Sequence, residues 1–414
     1  MNTEISVIIP TFGRNESLSR SLAALERQTL SGSAFEVIVV VDGAEPDTLA
    51  MLKNYRGALR LRFSGLPSSG AGTARNKGAE LALGRILLFL DDDIEADAGL
   101  LSAHLRTAAG GDCVGIGNLV TLLPSRPGFL GIGMRIWWER KMAEMRRAGH
   151  RFSYVDLLSG HFSVSAKTFV QIGGFDTTMN CREDYEFGIR LIQANVPFRF
   201  VKEAGAVHHE TVSLRKNLRR AMNEGFADTG LARRYPELIP DLPATNFCDP
   251  GWKPSSKKRL AEKLIYQWPR LAESFLNLAE WFGLRAVWQR LYLVLRKHWY
   301  LLGVCAACPS AADRSRLFVI PAAAAAKIIP TIDLKNGMAE AGVELDKIQP
   351  QQVRICYGQF PVGTIEAKPL AENIGARHLF PFVRDHCSQF FLTAVAFNRI
   401  VNSAEANDNV PEPK

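Results

Sequence analysis

Three largely apolar runs, ISVIIP at 5–10, FEVIVVV at 35–41 and RILLFL at 85–90, lie close together at the start of the chain. Alternating polarity would mark strands with one wet face; runs this continuously apolar mark strands buried on both faces. Between them, NESLSRSLAALERQTL places Leu18, Leu22 and Leu25 at helical spacing, and PDTLAMLKNYR reads as a second helix. LRLRFSGL reads as a further strand, and AGTARNKGAELAL opens with the small residues of a tight helix start. Strands alternating with helices of this length predict a mostly parallel sheet covered on both faces, an open, doubly wound α/β domain.

In such sheets ligands bind outside the carboxyl ends of the strands. Three of the expected ends are polar: Pro10 and Thr11 after the first strand, Asp42 and Gly43 after the second, and Asp91, Asp92 and Asp93 after RILLFL. Helix crossovers return parallel strands to the same side, so the three ends share one rim. Three adjacent like charges gain nothing from packing. They suit a divalent cation, which prefers carboxylate oxygens and keeps other positions for water and phosphate. They equally suit caps of a following helix, and both readings stand at this point.

The rest of the chain is organised less sharply. VDLLSGHFSVSAKTFVQIGGF at 155–175 predicts strand, short helix and glycine turn; REDYEFGIRLIQANV predicts a helix, and VPFRFVKEAGAVHHE extended structure. The first domain is expected over 1–235, a Trp- and Leu-rich helical section with Trp268, Trp281, Trp288 and Trp299 over 236–312, and a small α+β region over 313–400. In that last region QQVRICYGQFPVGTIEA reads as strand, turn and strand before a helix, and the polar tail 401–414 is expected to be disordered. With 414 residues, 47% of them hydrophobic, two or three domains have ample core.

The opening MNTEISVIIPTFGRN enters a strand at once, so no leader is expected. The apolar stretch 281–308 is interrupted by Arg285, Arg290, Arg296 and Lys297, which argues against a membrane span. Seven scattered cysteines suggest a reducing cytoplasm, and the lone Cys305/Cys308 pair reads as small residues on an apolar helix. A formal charge of +8 and a pI of about 9.1 fit acidic partners such as nucleotides, lipid phosphates or nucleic acid. No helix-turn-helix, zinc-finger or RNA-binding signature is present, so nucleic acid is not an expected partner.

Taken together, ISVIIPTFGRN, VIVVVDGAEPD, GAGTARNKGAELALGRILLFLDDD, IGGFD and REDYEFGIRL resemble the inverting family-2 glycosyltransferases of GT-A fold, in the family's order, over about residues 4–230. The resemblance implies a nucleotide-sugar donor, most simply a UDP-sugar, and a divalent Mg²⁺ or Mn²⁺ ion. It places Pro10 and Thr11 along base and ribose, Asp42 as acceptor of a hydrogen bond from the base, and Arg75 and Lys77 near the nucleotide. Asp91 would hold the ribose and Asp93 the metal, with Asp92 the variable middle residue, although three consecutive aspartates leave the register open by one residue.

The same resemblance makes Asp184 the general base that takes the acceptor hydroxyl's proton in a single displacement; Glu183 is its alternative, and both residues also suit a helix start. His208, ahead of His209, is the expected ligand of metal or diphosphate. His161, in LSGHFSV, is placed beside the donor sugar or is an ordinary loop residue. The QxxRW motif and membrane bundle of processive members are missing, which predicts one or a few transfers per acceptor.

A bacterial glycan or lipid-linked acceptor is expected, and the protein is expected in the cytoplasm. The Trp/Arg-rich stretches 135–151 and 264–303 have the composition either of helices resting on an anionic membrane or of a packed helical subdomain. Two other functions compete. A sugar-1-phosphate nucleotidylyltransferase expects a GxGxR-type loop with a Lys, whereas PTFGRN stands here, and an inactive relative would serve as a basic membrane-associated scaffold.

Overall fold

Continuous burial of β1 (Ile5–Thr11), β2 (Phe35–Asp42) and β4 (Ile86–Leu90) is what their apolar sequences demand, and the computed structural model, which describes residues 3–248, 269–320 and 329–408, builds the first unit around them. Between these strands come α1 (Asn15–Glu26), α2 (Pro46–Lys53), β3 (Leu61–Leu66) and α3 (Ala71–Leu81). The chain continues through β5 (Ile94–Ala96), α4 (Leu100–Ala109), β6 (Val114–Leu122), α5 (Gly128–Arg146), β7 (His161–Ser165), α6 (Ala166–Ile172), α7 (Glu183–Gln193), β8 (Phe198–His209) and α8 (Leu214–Arg234). Helices α9 (Pro243–Cys248), α10 (Pro269–Trp281), α11 (Arg285–Ala307) and α12 (Ala311–Leu317) complete this part.

The eight strands lie in the order β3-β2-β1-β4-β7-β6-β8-β5. The first four are parallel, with Ile5 opposite both Phe35 and Ile86. Strand β7 then runs antiparallel to β4 and β6, β6 and β8 are parallel, and β5 closes the edge antiparallel to β8. The expected α/β architecture is therefore present, with a parallel half and a mixed half. At the other edge β3 leaves Arg62, Phe63 and Gly65 exposed and the rest half-buried, as an edge strand does.

Behind the strand ends, Phe89, Phe162, Phe169, Phe175 and Phe187 form one aromatic cluster, with Phe89–Phe162 and Phe175–Phe187 centroids each 4.8 Å apart. Their contacts join β4 and β7 to α6, the IGGF turn and α7, so the start of α7 is set by the same core that ends β4.

Helices α8 and α11 cross at two glycines. A Cβ on Gly225 would lie 2.0 Å from the Tyr300 carbonyl oxygen, and one on Gly303 would lie 1.8 Å from that of Met222. The helical section thus packs directly on α8 within the first unit, which comprises Met1–Ala143 and Tyr154–Pro321. Trp288 and Leu295 are buried with Leu276 and Leu218; Trp268 lies outside the described residues. Cys305 is exposed and Cys308 buried, both free thiols around the end of α11.

The second unit joins Glu144–Ser153 to Ala322–Lys414. Its three strands, β9 (Thr331–Asp333), β10 (Val353–Tyr357) and β11 (Phe360–Ile365), lie in the order β11-β10-β9, and β10 and β11 form the expected hairpin. Helix α13 (Met338–Ile348) and α14 (Ala376–His386) cover a core of Ile332, Leu345, Val353, Ile355 and Leu379. Arg151 donates from Nε to the Glu372 carbonyl at 2.8 Å, and Ser153 bridges Ala371, tying the early segment into this unit. A further helix, α15 (Ser388–Asp408), follows Cys387 and runs into the polar tail expected to be disordered. Ala404 and Glu405 in that stretch are good helix formers. No described helix is long and apolar enough to cross a membrane.

Candidate active site

The carboxyl ends of β1 and β4 meet at the aspartates. Thr11 donates from Oγ1 to Asp92 Oδ2 at 2.6 Å, and Ser21 donates to the Asp92 carbonyl at 3.0 Å. One nitrogen of Arg14, Nη1, reaches Asp92 Oδ1 at 3.1 Å and Asp93 Oδ2 at 2.7 Å. Asp92 is only 4% exposed, and burial pushes its carboxyl up to about 6 although Arg14 and Thr11 oppose the shift. The middle aspartate is therefore a buried anchor of this rim. None of the three caps a helix: β5 follows directly, and the next helix, α4, starts after Gly99.

Asp91 and Asp93 have different neighbours. Asp91 accepts from Arg75 Nη2 at 2.8 Å and takes its place against Gly160, where a Cβ would sit 2.8 Å from Asp91 Oδ2. Asp93 faces β8: its Oδ1 lies 3.6 Å from His208 Nε2. Burial first, and then the charge of Asp91, raise the Asp93 carboxyl above the ordinary carboxylate range. His208 Nδ1 is 3.7 Å from Glu210 Oε2, and the Trp138 ring packs edge-on at 5.3 Å while its Nε1 donates to the same Glu210 oxygen at 3.3 Å. His209 turns the other way, 2.9 Å from Glu95.

Arg75 is 3% exposed, and its guanidinium joins two parts of the site. Besides Asp91 it donates from Nη1 to Glu183 Oε1 at 3.0 Å, and it stacks 5.6 Å from the Phe175 ring. The next residue, Asn76, exchanges two hydrogen bonds of 2.8 Å with the Phe175 backbone. TARN thus clamps the β4 rim, the IGGF turn and the start of α7 together.

Helix α7 begins after Arg182, a non-glycine residue in the left-handed region at φ 63°. Its guanidinium is held by Asp228 at 3.2 Å and lies 4.4 Å from the Tyr185 ring centre. Tyr300 donates to the other Asp228 oxygen at 2.8 Å, and Arg296 reaches Glu224 at 2.7 Å, so α8 and α11 support this start. Asp184 Oδ1 accepts from the Tyr185 N–H at 2.9 Å, an acidic residue in the first turn as the helix dipole favours. Burial, and next the charge of Glu183, push the Asp184 carboxyl up to about 6. A carboxylate in that range exchanges protons near neutral pH.

The other expected residues separate from this group or serve a different purpose. Asp42 accepts the backbone N–H groups of Ser69 at 2.7 Å and Gly70 at 2.9 Å, which fixes the turn into α3. Pro10 is half-buried near the end of β1, opposite Val40. Lys77 pairs with Glu80 at 2.9 Å, one turn along α3, and no hydrogen bond or ion pair brings it to the aspartates.

His161 is a correction. It is fully buried in β7, its Nε2 lies 3.1 Å from His104 Nε2, and His104 Nδ1 lies 2.8 Å from Ser163 Oγ. Burial lowers its pKa to about 3, so it is a neutral core imidazole packed toward α4, unavailable to a sugar. Its neighbour Gly160 is the residue that meets the rim.

Sequence reasoning missed Arg14, Asn76, Trp138, Arg182 and Glu210. Arg14 and Asn76 stood inside the quoted PTFGRN and TARN segments, but their partners lie 78 and 99 residues away.

The donor atoms suit a divalent ion in part. Asp93 Oδ1 is buried without a hydrogen-bond partner and lies 3.6 Å from His208 Nε2, and a carboxylate beside an imidazole nitrogen is a fitting ligand pair; the unpartnered His208 Nδ1 faces Glu210 instead. Among the described residues no set of three His, Cys, Asp or Glu is spaced to enclose an ion. An ion here would draw its remaining ligands from diphosphate and water.

Residues 6–163 match the model of glycosyl transferase family 2. The chain is 28% identical over 272 residues to validoxylamine A glucosyltransferase of Streptomyces hygroscopicus subsp. limoneus, covering 58% of each protein. It is 32% identical over 92 residues to the poly(ribitol-phosphate) beta-N-acetylglucosaminyltransferase TarP of Staphylococcus aureus strain N315, covering 22% of this chain and 28% of that one. The crystal structure of S. aureus TarS 1-349 in complex with UDP-GlcNAc aligns with a TM-score of 0.44 at 15% identity, covering 73% of this chain and 91% of that one. The chain thus spans about three fifths of the length of two validoxylamine A glucosyltransferases it matches, 58% and 62%.

Proposed function

Because residues 6–163 match the model of glycosyl transferase family 2, we propose that the chain moves a sugar from a nucleoside-diphosphate donor, a UDP-sugar in the first instance, to an acceptor hydroxyl by single inverting displacement. The observation that carries this reading is the buried Arg75, which locks the aspartate rim to the start of α7 and so fixes Asp184 relative to Asp91. Relatives named as a glucosyltransferase and an N-acetylglucosaminyltransferase support sugar transfer.

In this reading Asp184 takes the proton of the attacking hydroxyl, a role its raised pKa suits. Thr11 and Pro10 line the base and ribose side, and Asp42 acts there by holding the Ser69–Gly70 turn in place. Asp91, held by Arg75 yet partly exposed, is placed to meet the ribose. Asp93 and His208 would hold Mg²⁺ or Mn²⁺, and a bound ion would supply positive charge for the departing diphosphate. The orphaned Oδ1 of Asp93, with Asp92 committed to Thr11 and Arg14, supports Asp91/Asp93 over the register shifted by one. The acceptor is a glycan or a lipid-linked sugar, glycosylated once or a few times.

The test is a panel of nucleotide-sugars incubated with the purified chain and Mn²⁺ or Mg²⁺, reading nucleotide release beside Asp93→Ala and Asp184→Asn. Metal-dependent release from one donor, lost in Asp93→Ala, is expected. No release from any donor, with no thermal shift from UDP or GDP, would sink the proposal.

A further inference from the structure

Helices α10 and α11 form a hairpin that buries one face and leaves a second apolar face in water. Ala272, Leu276 and Ala279 pack inward with Trp288 and Leu295. Outward, Leu271, Phe275 and Leu278 repeat at i, i+4 and i+7 on α10, and Trp281, Phe282 and Val287 continue the surface around the turn at Gly283. Phe275 is 60% and Trp281 78% exposed. Water-soluble proteins rarely expose apolar side chains so densely without something to cover them.

The charges around this face select the partner. Among the described side chains from 271 to 300, Arg285 and Arg290 are the only fully exposed charged residues, and neither has an ion pair. The two acids, Glu273 and Glu280, are half-buried, and Glu280 accepts the Phe129 N–H at the start of α5 at 2.6 Å. A second copy of the chain would set cation against cation across a twofold interface. An anionic lipid surface satisfies both features, taking the aromatic rings at headgroup level and the arginines against phosphate.

The surface also has a route to the reaction centre. Glu280 ties the hairpin to α5, and α5 carries Trp138, which packs on His208. Between them α5 presents exposed Ile132 and Ile136 to Leu122 and Pro124 across a groove of about 450 Å³.

We propose that the tip of the α10–α11 hairpin docks on an anionic membrane, holding the α5 groove and the aspartate rim at the lipid surface. This stands apart from the transfer reaction and can fail independently of it.

The experiment floats the full chain with vesicles of phosphatidylcholine and with vesicles in which phosphatidylglycerol replaces part of that lipid. Flotation with the anionic vesicles, released by high salt, is expected. Phe275→Ser with Trp281→Ser lowers the bound fraction's partition at least about tenfold. Arg285→Gln with Arg290→Gln, at positions exposed enough not to disturb folding, lowers it about thirtyfold. Nucleotide release in lipid-free solution stays unchanged in both variants and reports on the transfer reading alone. A wild-type chain that stays behind with both vesicle types overturns the proposal, as does equal flotation on both that ignores loss of the arginines. A doubled mass in light scattering that Trp281→Ser returns to monomer, without vesicle binding, overturns it in favour of a second copy.

Discussion

Arg75 and Glu183 lie 108 residues apart in the chain and 3.0 Å apart in the fold, with the guanidinium buried and its other terminal nitrogen on Asp91. Lysine keeps the charge but not the two-pronged reach. Arg75→Lys is expected to lower nucleotide release at least about tenfold, and Arg75→Ala to destabilise the protein by about 1–3 kcal/mol, because it leaves the half-buried Asp91 and Glu183 carboxylates without their partner. Release assays and urea melts check the two effects; an Arg75→Lys enzyme of full activity would remove the clamp from the account.

The role of general base proposed for Asp184 requires its carboxyl to be ionised. Its carboxyl is raised to about 6, chiefly by burial. Below that value the protonated form predominates, and kcat/KM is expected to fall about tenfold per pH unit on the acid side. Asp184→Asn removes transfer at every pH. An acid limb near pH 4, or one that survives in Asp184→Asn, assigns the base elsewhere.

Cation binding is expected to depend on Asp93 and His208 and to be opposed by Arg14, whose Nη1 already bridges Asp92 and Asp93. Calorimetry with Mn²⁺ alone should show binding lost in Asp93→Ala, weakened in His208→Ala, and tightened about tenfold in Arg14→Gln, since a competing positive charge has gone. Unchanged affinity in Arg14→Gln means the arginine does not contest the ion.

The crossing of α8 and α11 predicts a sign. Alanine in a helix is ordinarily favoured over glycine by about 1 kcal/mol, but at Gly225 and Gly303 the added methyl meets a carbonyl oxygen of the opposite backbone. Overpacking should win, with each Gly→Ala change destabilising by about 1–3 kcal/mol in urea unfolding. A raised midpoint would contradict the crossing.

Where the sequence spoke plainly, one physical signal acted alone. Ile5–Ile9, the FEVIVVV run and Ile86–Leu90 are buried throughout and could only be central strands, so their polar ends marked the rim. REDYEFGIRL carried its helix in its own periodicity. The direction of β7 was hidden, because HFSVS is five residues whose sense depends on what chain segment it meets. His161 reads alike as sugar contact or loop residue, and its core position shows only once His104 is known to face it. Lys77 was assigned by position within a motif, whereas its ammonium answers to Glu80 one turn away. Arg14 closes on aspartates that local pattern cannot connect to it.

The left-handed turn at Arg182 has a practical consequence for anyone dividing this protein. Its guanidinium rests on Asp228, and the far oxygen of Asp228 rests on Tyr300, well beyond the segment that matches the family. A chain cut after Tyr235 would keep every quoted motif and lose the prop that sets the first turn of α7. The portion that holds the proposed site in shape is longer than the segment that carries its signature.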